Sequence, residues 1–127
     1  MRRTAILTLC ALACALMVCA LSLGAVNATA DEALRLHALT LEAAERDDVP
    51  GALSLLDELE RHWHGRATLM EIMASHDALH DVSASLAEAQ ICLTCNDRDD
   101  FLRAMSAVRM GLEHLKDEEA VKWANLY

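Results

Sequence analysis

Histidine and aspartate residues lie close together in the middle of the chain, at His76, Asp77, His80 and Asp81. Residues four apart share one face of a helix, so His76 and His80 can present two imidazoles to one metal ion. If the last helix folds back antiparallel, His114 arrives at the same level. The sequence therefore predicts His76, His80 and His114 as a candidate site for zinc or copper.

Two other interpretations of these histidines stay open. His76 can be a hydrogen-bonded residue in an apolar seam, with His80 and His114 at its solvated edge, and the protein then has no cofactor. Alternatively, the histidines sense pH. Carboxylates such as Asp77 and Asp117 raise the proton affinity of nearby imidazoles, and protonation can reset a helix interface.

A second histidine pair, His62 and His64, flanks Trp63. The hairpin register places this pair roughly 10–15 Å from His76 along the helix axis. The two histidine groups are therefore not expected to share a metal. Trp63 is expected in the core or at a membrane interface.

Cys92 and Cys95 have the spacing of a redox pair. They are expected at the end of a helix, where the helix dipole disfavours a thiolate. One pair also falls short of a four-ligand zinc site. We expect a local disulfide or two free thiols. No nucleophile elbow, phosphate loop or zincin sequence occurs in the chain, so no enzymatic activity is predicted.

The element that must position these residues is a predicted long helix over residues 67–95. Its apolar seam follows alternating steps of three and four, without Gly or Pro. A helix of this length spans roughly 43 Å, which suits a bundle. The seam residues are Leu69, Ile72, His76, Leu79, Ser83, Leu86, Gln90 and Leu93.

Shorter helices are predicted on both sides of this element. Residues 31–47 form an amphipathic segment that continues the N-terminal helix or stands alone. Asp48 and Pro50 mark the start of a second helix, which ends at Gly65. Asn96 is expected to cap a last helix. Short connections favour an all-α, antiparallel bundle built on the long helix.

The N-terminal segment is uncharged and apolar over residues 5–26, after Arg2 and Arg3. A helix of this length can cross a hydrocarbon core of roughly 30 Å, with the arginines in the cytoplasm. Residues 1–30 are therefore a membrane anchor or a signal segment, and residues 31–127 an extracytoplasmic domain. A retained single-pass anchor in the cell membrane is favoured. The alternative is secretion after cleavage following Ala30, which ends a small-x-small sequence.

Helix lengths predict an interaction surface. The second helix has about half the length of the helix over residues 67–95 and is expected to end near His80. Residues 81–95 would then lie against the last helix alone. We expect either that a second copy or a protein partner docks there, or that the last helix and a bend cover it.

Charge limits the classes of partner. All twenty acidic residues and nine of the eleven basic residues lie after Ala30, which gives that region a formal charge of −11. Such a surface repels nucleic acid, so no nucleic-acid partner is expected. The leading hypothesis is a membrane-anchored, non-enzymatic module for protein interaction or assembly. The alternative is a small metal-binding or pH-sensing protein that uses the histidines.

Several positions together resemble a known family. They are Trp63, the run His76-Asp77-Ala78-Leu79, Phe101, and the ending Asn125-Leu126-Tyr127. This combination is similar to the domain of unknown function 4363, a family of short Firmicutes proteins with one N-terminal membrane segment and a helical remainder. One residue separates the histidine from the acidic residue in the family pattern, whereas Asp77 follows His76 directly. The resemblance implies fold and topology and no chemistry.

Overall fold

The computed structural model describes residues 1–126, without the side chains of Met73, Lys122, Trp123 and Leu126. Tyr127, in the predicted family ending, lies outside the described residues. This part of the chain forms helices and no strands, which confirms the all-α prediction. The helices are α1 (Arg2–Glu45), α2 (Val49–Gly65), α3 (Ala67–Met73), α4 (His76–Thr94) and α5 (Arg98–Leu126).

Helix α1 is the longest element and has two different halves. It runs for 44 residues without a break, a length of about 66 Å. Residues 1–20 are exposed, and burial against other helices begins at Leu23. From Leu23 onward its inner face includes Val26, Leu36 and Ala43. The predicted segment 31–47 therefore continues the apolar N-terminal helix as far as Glu45, one of the two predicted arrangements.

The second half of α1 packs with α2, α4 and α5 as an antiparallel four-helix bundle. Helix α5 runs against α1, because Lys116 pairs with Asp31 at one end of the bundle and Arg98 pairs with Asp47 at the other. We call the end with the α1–α2 and α4–α5 connections the turn end. The opposite end, where α1 enters and α3 lies, is the α3 end.

One continuous core fills the bundle. It combines the inner faces of the four long helices with one residue of α3, Met70. Its largest fully buried side chains include Leu36, Leu56, Leu86, Phe101, Met105 and Leu112.

The two connections at the turn end have the same construction. Asp47 and Asn96 adopt left-handed backbone conformations (φ 58° and 57°). The next residue in each case donates its amide to a carbonyl five positions earlier, from Asp48 to Ala43 and from Asp97 to Cys92. This is the Schellman ending of a helix.

The residue after each left-handed position also starts the next helix. The Asp48 carboxylate accepts from the Gly51 amide at 3.0 Å, and Asp97 accepts from the Asp100 amide at 3.3 Å. The start signal at Asp48 is thus confirmed. The prediction for Asn96 was wrong: it ends α4, and Asp97 caps α5.

The single helix predicted over residues 67–95 is also wrong. Ala74 and Ser75 have extended backbone conformations (ψ 167° and 137°), which separate α3 from α4. With this break the chain reverses after α2 and α3, and α4 packs against both α2 and α5. The break shifts the helical phase, so Met70 is buried while Ile72, a predicted seam residue, is 76% exposed.

Residues 81–95 do not form an unpartnered surface. Val82, Leu86, Ala89 and Leu93 are all buried in the core, because α4 packs against α2 as well as α5. Of the two expected outcomes, cover within the chain is the one found. Helix α2 and the last helix cover the seam, and the bend at Ala74 and Ser75 lies just before α4.

Candidate functional site

A cleft on the bundle surface brings together residues of three helices near the α3 end. It has a volume of about 200 Å³, and its polar lining includes His64 of α2, Glu71 of α3, and His76 and His80 of α4. We call these four residues and the space between them the histidine cleft. Three imidazoles and one carboxylate at one surface provide hydrogen-bond donors and acceptors for a polar group of a partner.

Trp63 and Ser83 also line the histidine cleft. Trp63 is 3% exposed, and its indole Nε1 donates a hydrogen bond of 2.9 Å to the Ser83 hydroxyl. The indole therefore belongs to the core and ties α2 to α4, one of the two predicted environments for Trp63. It also provides a partner for Ser83, a polar residue of the predicted seam.

Gln90 is the other polar seam residue with a partner across α2 and α4. With its amide nitrogen towards Glu60, it donates to that carboxylate at 2.8 Å. Burial raises the pKa of the Glu60 carboxyl. The pair acts beside Trp63 and Ser83 to hold α4 in register with α2. His76, the third polar seam position, is instead exposed in the first turn of α4.

The predicted set His76, His80 and His114 is not brought together. The predicted register of α4 against α5 is correct, because a Cβ on Gly111 would lie 2.6 Å from Val82 Cγ2. His80 precedes Val82 by two residues and therefore points to the opposite side of α4. In the described part of the chain, no three His, Cys, Asp or Glu side chains are arranged to hold a metal ion.

His114 lies at a separate surface. Its Nε2 is 3.1 Å from the Glu118 carboxylate, and it lines a cleft with Ser75, Asp117 and Val121. His64, and not His114, lines a cleft together with His76 and His80. The break at Ala74 and Ser75 causes this by laying α4 along α2. That the two histidine groups do not share a metal stays a prediction.

His37 is a functional candidate that motif reasoning missed. It is 4% exposed, and its Nε2 lies 2.7 Å from the Met105 carbonyl oxygen of α5. Burial lowers the pKa of this histidine, and the hydrogen bond to Met105 opposes that shift. Its hydrogen-bond partner lies 68 residues away along the chain, so no local sequence motif marks this contact.

The cysteine pair closes α4 as expected. Cys92 is half-buried, Cys95 is exposed, and both are free thiols. Burial raises the pKa of Cys92, and the carboxylates of Asp100 and Asp97 act in the same direction. This environment disfavours the thiolate that thiol–disulfide exchange requires.

Helix α1 is long and apolar enough in its first half to cross a membrane, and a signal sequence near the N-terminus would have the same character. A family model described as domain of unknown function (DUF4363) matches residues 21–126. No curated protein and no solved structure matches the chain. The matched range contains the whole bundle and begins in the last part of the apolar run.

Proposed function

The chain belongs to the DUF4363 family, and we propose that it is a single-pass, membrane-anchored helical bundle. It acts outside the cytoplasm as a non-enzymatic module that binds a protein partner or a second copy of itself. The observation that carries this proposal is the continuity of α1. One unbroken helix passes from an exposed apolar half into the core of the bundle.

The exposed half of α1 has the surface of a lipid-embedded helix. Its large apolar residues lie on all sides and are more than half exposed, among them Ile6, Leu9, Leu12, Leu16 and Val18. A helix that is apolar all round requires an apolar environment. Arg2 and Arg3 favour a cytoplasmic start, which places the acidic bundle on the other side of the membrane.

Burial at the α3 end favours a retained anchor over cleavage. Cleavage after Ala30 would remove Leu23, Val26, Thr29 and Ala30, all of which are buried against the other helices. Losing these side chains would open the core at this end, since removal of a single buried aliphatic residue costs about 2–5 kcal/mol.

The topology can be tested with the native Cys95 thiol. A Cys92→Ser chain retains Cys95 as the exposed thiol of the bundle. A membrane-impermeant maleimide is expected to label it in intact cells, and a Cys92→Ser/Cys95→Ser chain controls for labelling elsewhere. Labelling that requires permeabilised cells would place the bundle in the cytoplasm. The intact mass of the membrane-extracted protein reports cleavage.

The interaction itself is tested by photo-crosslinking in native membranes. The side chains to probe are isolated apolar residues on the outside of the bundle, such as Ile91, Leu102 and Met110. We expect adducts at one group of neighbouring positions and not at the others. A chain that forms no adduct with any protein at these positions or in the histidine cleft would contradict the interaction function.

A second candidate function is pH-dependent binding at the histidine cleft. It is favoured by the position of five of the six histidines, all of which lie towards the α3 end. Partner binding would then depend on pH, and His80→Ala would weaken that dependence. Native mass spectrometry with zinc or copper offered separates this function from metal binding, since a stoichiometric ion lost in His76→Ala would favour metal.

A further inference from the structure

Helix α3 crosses the end of the bundle instead of running along it. Arg66, just before α3, shares a cleft with Ala25 and Ala28 of α1. Ser75, just after α3, shares one with Asp117 and Val121 of α5. These residues of α5 lie level with the same part of α1, because Lys116 pairs with Asp31.

The length of α3 fits this crossing. Both ends of α3 are level with about residues 25–31 of α1. Helix α3 therefore lies across the bundle axis as it connects α2 to α4. Its seven residues span about 10 Å, close to the spacing of about 8–10 Å between packed helices.

The two faces of α3 have different surroundings. Met70 is fully buried beneath the helix, whereas Ile72 is 76% exposed. Two residues are about 200° apart around a helix, so these side chains point in opposite directions. Thr68 is exposed beside Ile72. We call Thr68 and Ile72 the outer face of α3, and it points towards the side from which α1 leaves the bundle.

No linker separates the apolar run from the bundle. A hydrocarbon core of about 30 Å takes about 20 helical residues, which places its edge near Gly24 if the span begins at Ala5. Leu23 and Val26 are nevertheless already buried in the bundle. The level of α3 is then about 2–10 Å outside the hydrocarbon edge, which coincides with the headgroup layer and its outer boundary.

Arg66 differs from the other arginines of the bundle. Six of them form ion pairs with carboxylates at 2.7–3.4 Å. They are Arg35, Arg46, Arg61, Arg98, Arg103 and Arg109. Arg66 is exposed and forms no ion pair with any residue that the structure describes. The neighbouring Glu32 is paired with Arg35, and Glu71 faces the histidine cleft. A guanidinium without a carboxylate partner is suited to a phosphate.

We propose that Arg66 and the outer face of α3 dock on the phospholipid headgroup layer of the membrane that α1 crosses. Arg66 contacts lipid phosphates, and Ile72 enters the boundary between headgroups and acyl chains. This inference depends on the proposed function, since it requires α1 to be the anchor. The last turns of α5, which continue past Lys116 alongside α1, then reach the same lipid surface, and the turn end is farthest from the membrane.

The test uses the full chain in vesicles of phosphatidylcholine and phosphatidylglycerol. The five native cysteines are replaced by serine, and a polarity-sensitive fluorophore is attached at Leu16→Cys, Ile72→Cys or Ile91→Cys. Lipids carrying nitroxides in the headgroup or the acyl chain quench the fluorophore according to its depth. Ile91 is the matched control, because it is an isoleucine of similar exposure (64%) on α4, towards the turn end.

We expect acyl-chain nitroxides to quench the label at position 16. Headgroup nitroxides should quench the label at position 72 at least threefold more than the label at position 91. Equal, weak quenching at 72 and 91, with strong quenching at 16, would overturn the docking of α3 and leave the anchor intact. Weak quenching at position 16 would overturn the anchor and the docking together.

The phosphate contact has its own control. Arg66→Glu should reduce headgroup quenching of the label at position 72 by at least half, whereas Arg61→Glu should leave it unchanged. Arg61 lies near the end of α2, five residues before Arg66, and is paired with Asp57. Unchanged quenching in Arg66→Glu would overturn the role of Arg66. Far-ultraviolet circular dichroism verifies that each variant retains its helices.

Discussion

The two ends of the bundle are built in different ways. At the turn end, two connections of the same design reverse the chain within a few residues, each with a left-handed residue followed by a capping aspartate. At the α3 end, the reversal takes a separate helix and an extended break at Ala74 and Ser75. Local hydrogen bonds therefore define the turn end, while packing between distant segments defines the α3 end.

The difference extends to chemistry. The turn end carries acidic residues around its connections, and five of the six histidines lie towards the α3 end. Arg66 is at that end too, next to the exit of α1. Histidines and an arginine without an ion-pair partner among the described residues thus lie where α1 enters the bundle, and both proposals concern this end.

One core joins both ends of the bundle, and the Leu86→Ala variant is the strongest test of that continuity. Leu86 is fully buried midway along α4. Its truncation should lower the free energy of unfolding by about 2–5 kcal/mol and weaken both ends together. Urea unfolding in detergent micelles with hydrogen exchange measures this, and Ile91→Ala is the exposed control. Loss of protection at one end alone would show two separate units.

Close packing near the α3 end should respond to Gly111→Ala. The added Cβ would lie 2.6 Å from Val82 Cγ2, and Val82 is buried and cannot move freely. We expect a loss of about 1–3 kcal/mol, largely restored in a Gly111→Ala/Val82→Ala double variant. Gly65→Ala is the control, because its Cβ would meet nothing within 4 Å. Equal stability of the two single variants would refute the close contact.

Caps should matter more at the turn end. Asp48→Ala removes the hydrogen bond to the Gly51 amide and should cost about 1 kcal/mol. Ser75→Ala should change stability by less than about 0.5 kcal/mol, since the Ser75 side chain makes no capping hydrogen bond. Thermal unfolding of both variants gives the two values. A larger loss in Ser75→Ala would remove this contrast between the ends.

His37 lies between the two ends of the bundle. The smallest expected effect concerns this residue, and it is a dependence of the folding stability on pH. Burial lowers the pKa of His37 below the ordinary histidine value of 6.5, so the unfolded chain takes up a proton at a higher pH than the folded chain does. The contribution to stability is full above pH 6.5 and is lost as the pH falls towards the folded-state pKa.

Urea midpoints at pH 7.5 and pH 5 measure this dependence. His37→Gln should flatten it, while His80→Gln, at an exposed position, should retain it. The groups whose charges act on His37 are Arg109 and Glu113 of α5, and both variants keep them. The interpretation fails if His37→Gln keeps the full pH dependence.

Features with local causes were readable from the sequence. The apolar run over residues 5–26 specifies a helix suited to lipid. Asp48 and Pro50 start α2, and the periodic apolar positions of α4 from Leu79 to Leu93 are its buried face. The register of α4 against α5 also followed from counting across a short turn, because antiparallel helices with a tight connection pair at predictable positions.

Other features depended on contacts between distant segments. No Gly or Pro marks the break at Ala74 and Ser75, and helix propensity continues through it. The break forms because burying the α4 seam against both α2 and α5 stabilises the fold by more than the helical hydrogen bonds it forgoes. The same reversal places His64 beside His76 and His80. The apolar pattern thus specified the helices, whereas packing between distant segments determined which histidines line the same cleft.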